Sequence, residues 1–211
     1  MSNNIPGGVS TCPASAVIFG YLGVASCSVL SNFGSAWGTW KAGMGLCKMG
    51  VDYPKGIMKN LVPIVMAGVL GIYGLIVSVI ITQGIKRPIR AEGSPNGYTQ
   101  YSLYTGYAHL AAGLCCGISC LAAGGTIGYI GDVGIRCFGM KVSGGKRAWV
   151  AAEEQASGNH DPGTEQVSQD SSNKLYVGLL IMLIFSEALA LYGMIVALLL
   201  CQGKDIACLN R

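Results

Sequence analysis

One residue has the type and the setting for chemistry inside a membrane. Glu187 is the only charged residue between positions 175 and 203, in the run Leu-Ile-Phe-Ser-Glu-Ala-Leu-Ala-Leu. A charge at the centre of a spanning helix costs roughly 2.5 to 3.5 kcal/mol on insertion scales. Hydrocarbon therefore favours the neutral carboxyl, whereas water or a cation favours the ionised one. A group that is neutral facing lipid and ionised elsewhere has the properties of a proton carrier. The competing reading is a neutral, hydrogen-bonded glutamate that only glues helices. Intramembrane carboxylates are functional by default, which favours the carrier. Ser186 is its one polar immediate neighbour in sequence. Tyr73, in another apolar run, is a candidate hydrogen-bond donor to Glu187. An equally good reading makes Tyr73 a packing aromatic, because Tyr192 repeats it.

Other site chemistries fail on spacing. Gly144-Gly145-Lys146 resembles the end of a phosphate loop, but Met140 stands where that pattern needs its first glycine. No nucleotide, cofactor or metal site is expected. The nine cysteines form no C-x-x-C pair, and His109 and His160 have no zinc-like spacing. Cysteines filling helix interfaces are the simpler reading. A Cys12–Cys208 disulfide is left open. His109 reads as a packing residue, with pH sensing as the open alternative. A sodium site would need several oxygen ligands around the carboxylate, and the third apolar run has no Asn or Gln. The expected cargo is therefore H+.

Four apolar elements must position these residues. Of 211 residues, 51% are hydrophobic and 11% charged, where soluble domains carry roughly 25% charged. That excludes a soluble enzyme, a disordered chain and a nucleic-acid binder; no dense basic patch with aromatics is present. Residues 14–40 and 60–85 carry no charge, 105–131 only His109, and 175–203 only Glu187. Each run exceeds the about 20 apolar residues a span needs. No basic n-region opens the chain, and Ser2 stands where myristoylation needs glycine. The first run thus reads as a retained span. The expected fold is an all-α membrane protein of four transmembrane helices. A first hairpin occupies 12–85, and a second occupies 99–140 and 174–203.

The hairpins read as duplicates. Ile72-Tyr73-Gly74-Leu75-Ile76-Val77 matches Leu191-Tyr192-Gly193-Met194-Ile195-Val196 at an offset of 119. At that offset Gly68 stands where the second hairpin has Glu187, giving one carboxylate per two hairpins. Spans one and three match more weakly at an offset of 90, through Gly34 and Gly38 against Gly124 and Gly128. A parallel duplication gives spans one and three one direction. Gly34-xxx-Gly38-xxx-Ala42, Gly113-xxx-Gly117 and Gly124-xxx-Gly128 are small-residue stripes that let backbones approach closely. They predict an inner layer of spans one and three, with two and four outside.

Loops after spans one and three hold nine Lys and Arg, against five on the other side. By the positive-inside tendency, 41–59 and 132–174 are cytoplasmic and both termini lumenal. Residues 141–173 are polar and poor in apolar side chains after Val150, which predicts a disordered cytoplasmic insertion.

Several motifs carry a family resemblance: Asn60-Leu61-Val62-Pro63-Ile64-Val65-Met66-Ala67-Gly68, Ile72 to Ser78, Tyr104-Thr105-Gly106, Gly131-Asp132-Val133-Gly134-Ile135-Arg136, and Phe185 to Gly193. Over roughly 12–140 and 174–202 the chain resembles the proteolipid c subunits of V-type proton-translocating ATPases. That resemblance implies membership of a membrane rotor ring, with one proton held on Glu187. It implies a ring of c-type subunits, an a subunit with two half-channels and an arginine favouring the ionised state, and a d subunit in the central stalk. It also implies a vacuolar or other acidic-organelle membrane, with ATP hydrolysed in other subunits. The insertion at 141–173 is longer than the family's usual loop. The c″ paralogue carries its carboxylate where this chain has Gly68, so c is favoured, with c′ open. The alternatives are a structural channel or junction protein, a sodium-translocating rotor subunit and, last, a small secondary transporter.

Overall fold

A computed structural model describes residues 15–52, 54–85, 101–142 and 162–202. Among these, four long helices dominate. They are α1 (Ala16–Asp52), α2 (Val62–Gly84), α3 (Leu103–Val142) and α4 (Pro162–Cys201). All four are long and apolar enough to cross a membrane. The 3₁₀ turns Pro54–Gly56 and Lys59–Leu61 join α1 to α2. Pro63, in the first turn of α2, removes an N–H that has no intrahelical partner there.

Small residues dictate the packing. A Cβ on Gly113 would lie 3.0 Å from the Gly23 Cα, and one on Gly128 only 2.9 Å from the Gly38 Cα. α1 and α3 therefore touch backbone to backbone, and they run parallel, as the duplication predicts. The offset of 90 marks residues that meet across this seam. Helices in lipid gain no hydrophobic energy from meeting, so close backbone contact has to supply the attraction. α2 is antiparallel to α1, since Gly38 meets Ala67 near the start of α2 and Gly20 meets Ile85 at its end; the Cys27 thiol donates to the Gly74 carbonyl at 3.6 Å, and the Ser28 and Ser78 hydroxyls pair at 2.7 Å. α4 stands likewise against α3, with Gly193 facing Ser119 and Gly134 facing Leu179.

The ends are tied by polar contacts. Arg136 donates to Asp132 through Nε at 2.8 Å and Nη2 at 2.7 Å, one turn apart on α3. Gly45 leaves room for this pair, since a Cβ there would sit 2.9 Å from Asp132 Oδ1. The Tyr176 hydroxyl donates to the Lys59 carbonyl at 2.9 Å, joining α4 to the turn before α2. At the opposite end Tyr101 and His109 Nδ1 lie 2.6 Å apart, both buried. His109 is thus tethered within the fold rather than turned to lipid.

One expectation is corrected. α3 runs to Val142 and α4 starts at Pro162, so residues 141–142 and 162–173 of the expected disordered insertion are helical. Pro162 has the fixed φ that suits a first helical position, and the apolar span beyond provides a nucleus from which the helix extends. Residues 143–161 lie outside the described ones. So do both termini and the loop 86–100. The Cys12–Cys208 pairing therefore falls outside as well. The seven described cysteines are all free thiols.

Candidate functional site

Glu187 is built into α4 at the midpoint of the span Asn173–Cys201. The helix places Leu183 and Ala190 on its buried side and Ile184, Phe185 and Leu189 on its exposed side. Glu187 lies at the boundary, half-buried. Its carboxyl thus sits at the boundary between the buried and the exposed face of α4.

Two helices complete the surroundings. Tyr73 of α2 reaches the Glu187 carboxyl with its hydroxyl placed to donate, and Cys120 of α3 stands beside both. The other carboxylate oxygen is different: Oε2 is buried and accepts no hydrogen bond among the described residues. A buried acceptor left unpaired costs free energy, and protonation removes much of that cost.

Ser186 points elsewhere. It is buried, its hydroxyl pairs with the Thr126 hydroxyl of α3, and it lies 3.5 Å from the Ala123 carbonyl. Thr126 in turn donates to the same Ala123 carbonyl at 2.9 Å. This cross-helix link fixes the rotation of α4 about its axis and with it the direction in which Glu187 projects. Ser186 is therefore a positioning residue. Sequence reading missed Thr126, because its partner lies 60 residues away. The signal available was the pseudo-repeat, since Gly38 and Ala67 already pack as the corresponding α1–α2 pair, 3.0 Å from a Gly38 Cβ.

The corresponding place in the first hairpin carries no carboxylate. Gly68 is exposed, and a Cβ added to it would meet nothing within 4 Å. Farther along α2, away from Gly68, Asn32 Nδ2 donates to the Ser28 carbonyl at 2.8 Å, and Ser78 and Thr82 each donate to a carbonyl one turn earlier at 2.7 Å. These residues line a cleft of about 260 Å³ between α1 and α2, and no ionisable group is among them. Among the described residues, no cluster of His, Cys, Asp or Glu could hold a metal ion.

The Tyr73 contact gives a direct test. A hydrogen bond to a charged group is worth about 1.5–3 kcal/mol, and partial exposure lowers that. Tyr73→Phe is expected to move the midpoint of the pH–pumping profile by about half a unit to one unit. An unmoved profile would reduce Tyr73 to a packing aromatic.

Comparisons with known proteins agree with one another. The sequence model of the ATP synthase C-subunit family matches residues 22–81 and 160–200, which include Tyr73 and Glu187. The chain is 46% identical over 197 residues to the V-type proton ATPase 16 kDa proteolipid subunit of Chrysotila carterae, covering 93% of this chain and 97% of that one. It is 40% identical to the V-type proton ATPase c′ subunit of Eremothecium gossypii, covering 89% and 90%. To the V-type proton ATPase c subunit of Candida tropicalis it is 38% identical, covering 93% and 98%. These matches run along almost the whole length of the relatives. The chain belongs to the proteolipid subunit family of V-type proton ATPases.

Proposed function

We propose that this chain is a proton-carrying c-type subunit of the rotor ring of a V-type ATPase. Glu187 takes up and releases one H+ per passage, and ATP hydrolysis in other subunits drives the rotation. The observation that carries this reading is the position of Glu187, alone at the midpoint of an apolar span with Oε2 buried and unpaired. A carboxylate there is too costly to keep unless its charge is used. Tyr73 orients the carboxyl when the group faces its own bundle, and Ser186 with Thr126 holds the aim of α4.

The partners follow from this role. Other c-type copies form the ring, the a subunit supplies the half-channels and the arginine that favours the ionised state, and the d subunit links the ring to the stalk. Lipid covers the remaining apolar surface. The membrane is that of a vacuole or another acidic organelle, with both termini lumenal. Protease digestion of sealed vesicles tests the orientation, and cytoplasmic termini would reverse it.

The cargo is tested by carbodiimide labelling of Glu187 in native membranes from pH 5 to 9, read by mass spectrometry. Carbodiimides react with the protonated carboxyl. Labelling that persists well above pH 5 without sodium protection is expected. Protection by sodium would make this a sodium rotor. Absence of labelling at every pH would leave Glu187 ionised or sealed, and would favour a structural junction protein instead.

A further inference from the structure

The outward face of α1 changes character along its length. Cys27 and Ser31 face Gly74 of α2, and Gly34 and Gly38 face α3. The helical turn sends Phe33, Trp37 and Trp40 away from α2, and all three are exposed. They form one continuous ladder. The ring centroids of Phe33 and Trp37 lie 5.8 Å apart and those of Trp37 and Trp40 6.4 Å apart, each pair edge to face. Such contacts are favourable between aromatic rings and hold the three as a set.

Charge takes over where the ladder ends. The Lys41 ammonium stands 5.1 Å over the Trp40 ring. Lys48 follows two turns on and is exposed. Phe33, Trp37, Lys41 and Lys48 are spaced by four, four and seven residues, which puts them along one stripe of the helix. Neither lysine forms an ion pair with a described residue. The cation–π contact places the Lys41 ammonium but brings it no negative charge. The only acid of α1 is Asp52, its last residue, and the only acid of α3 is Asp132, which Arg136 already holds through two N–H groups.

Depth gives the stripe a direction. Gly34 lies against Cys120, which stands beside Glu187 at mid-span. Lys41 is seven residues farther, about 10 Å along the helix, and Lys48 is about 21 Å along it. Hydrocarbon extends about 15 Å from its midplane. Phe33 and Trp37 therefore lie against acyl chains. The Lys41 stem carries its ammonium outward to the boundary, and Lys48 stands among headgroups. An apolar ladder, a cation at the boundary and a second cation beyond it repeat the order of acyl chain, phosphate and headgroup in a phospholipid.

We propose that this stripe of α1 seats an anionic phospholipid, with an acyl chain along Phe33 and Trp37, the phosphate at Lys41 and the charged headgroup toward Lys48. The inference goes beyond proton carriage and does not depend on it. A second copy of the chain is the poorer occupant. It would have to meet two cations with inner helices whose acids are the terminal Asp52 and the already paired Asp132. A zwitterionic lipid brings its own cation to the headgroup, where Lys48 already stands. In the orientation proposed above, this end of α1 lies in the cytoplasmic leaflet, whose anionic lipids give that surface its negative potential.

Quenching of tryptophan fluorescence by brominated lipid tests the site. Trp149→Phe leaves Trp37 and Trp40 as the only tryptophans, both on the stripe. The purified full chain with that change is reconstituted into phosphatidylcholine vesicles. A small fraction of the lipid is replaced by phosphatidylserine or phosphatidylcholine with brominated acyl chains, which quench at short range. Brominated phosphatidylserine is expected to quench severalfold more than the same fraction of brominated phosphatidylcholine. Lys41→Gln combined with Lys48→Gln is expected to remove that excess, and Lys41→Arg to keep it. Inorganic phosphate added to the vesicles should leave the quenching unchanged. Equal quenching by the two lipids in the Trp149→Phe chain would reduce the ladder to a general membrane anchor and overturn the proposal, whatever the lysine variants do. An excess that survives the double substitution would place the anionic lipid elsewhere and overturn it as well. Reversal of the excess by phosphate would make this a site for soluble anions, which overturns the lipid assignment.

Discussion

Glu187→Gln is expected to reduce ATP-driven acidification to background while the chain still inserts and assembles. Glutamine keeps the length, shape and hydrogen-bonding ability of a protonated glutamate. It is cheaper than a carboxylate in hydrocarbon, so insertion does not suffer. What it removes is the exchangeable proton. The half-buried setting at the edge of α4 and the Tyr73 contact survive the change. A variant that folds but cannot exchange H+ separates carriage from packing. Glu187→Asp keeps a carboxyl one methylene shorter and should retain a measurable part of the activity. The measurement is dye-reported acidification of sealed vesicles, with gel analysis of assembled complexes alongside. Full acidification by Glu187→Gln would remove Glu187 from the transport path, and lost assembly with no other defect would favour the structural role.

Sequence alone makes Glu187 legible because hydrocarbon is an unforgiving solvent: one carboxylate in 29 otherwise uncharged residues stands out without a fold. The spans are legible for the same reason, since length and apolarity are read residue by residue. The parallel pairing of α1 and α3 follows from glycine spacing, which survives as a pattern along one helix. What needs the fold are contacts between residues distant in sequence. Thr126 is one more small residue until the structure sets it against Ser186. The offset of 90 passes for the repeat until Ser31 and Ser119 place the equivalent positions 88 apart. The helical start at Pro162 is hidden because residues 162–173 are polar, and composition does not register a helix that extends from a neighbouring span. His109 is ambiguous in sequence because its partner, Tyr101, lies outside the apolar run.

These contacts give the subunit a division of labour. The inner pair α1 and α3 meets backbone to backbone at its glycines, which leaves little room for a shift of either helix toward the other. α4 carries the exposed side chains Tyr192, Phe185 and Ile184 beside the mid-span carboxylate of Glu187. A proton carrier must meet two environments in turn without its support flexing. In the proposed role Glu187 stands on the outer layer while Ser186, its neighbour in sequence, is fastened to the inner one through Thr126. The rigid layer thus supplies the aim, and the lipid-facing layer supplies the exposure.

Gly124→Leu is accordingly expected to be among the most damaging substitutions away from the carboxylate. A Cβ at 124 would lie 3.0 Å from the Gly34 Cα and closer still to the Gly34 carbonyl. Those are backbone atoms, and no side-chain rotamer can relieve the clash. Ordinary overpacking of a core costs about 1–3 kcal/mol. Here α1 and α3 must separate along their length, which also forfeits the close contacts at Gly23–Gly113 and Gly38–Gly128. Because lipid solvates the separated helices well, little opposes that separation once the backbone contact is lost. The expected result is inserted chain with four protected spans but no assembled complex and no acidification. Gly125→Leu is the control one residue along, where a Cβ meets nothing within 4 Å. It should damage the subunit far less, measured as the yield of folded chain in detergent. Equal damage from both would mean that leucine is not tolerated anywhere on α3, and that the glycine seam is not what holds the two hairpins together.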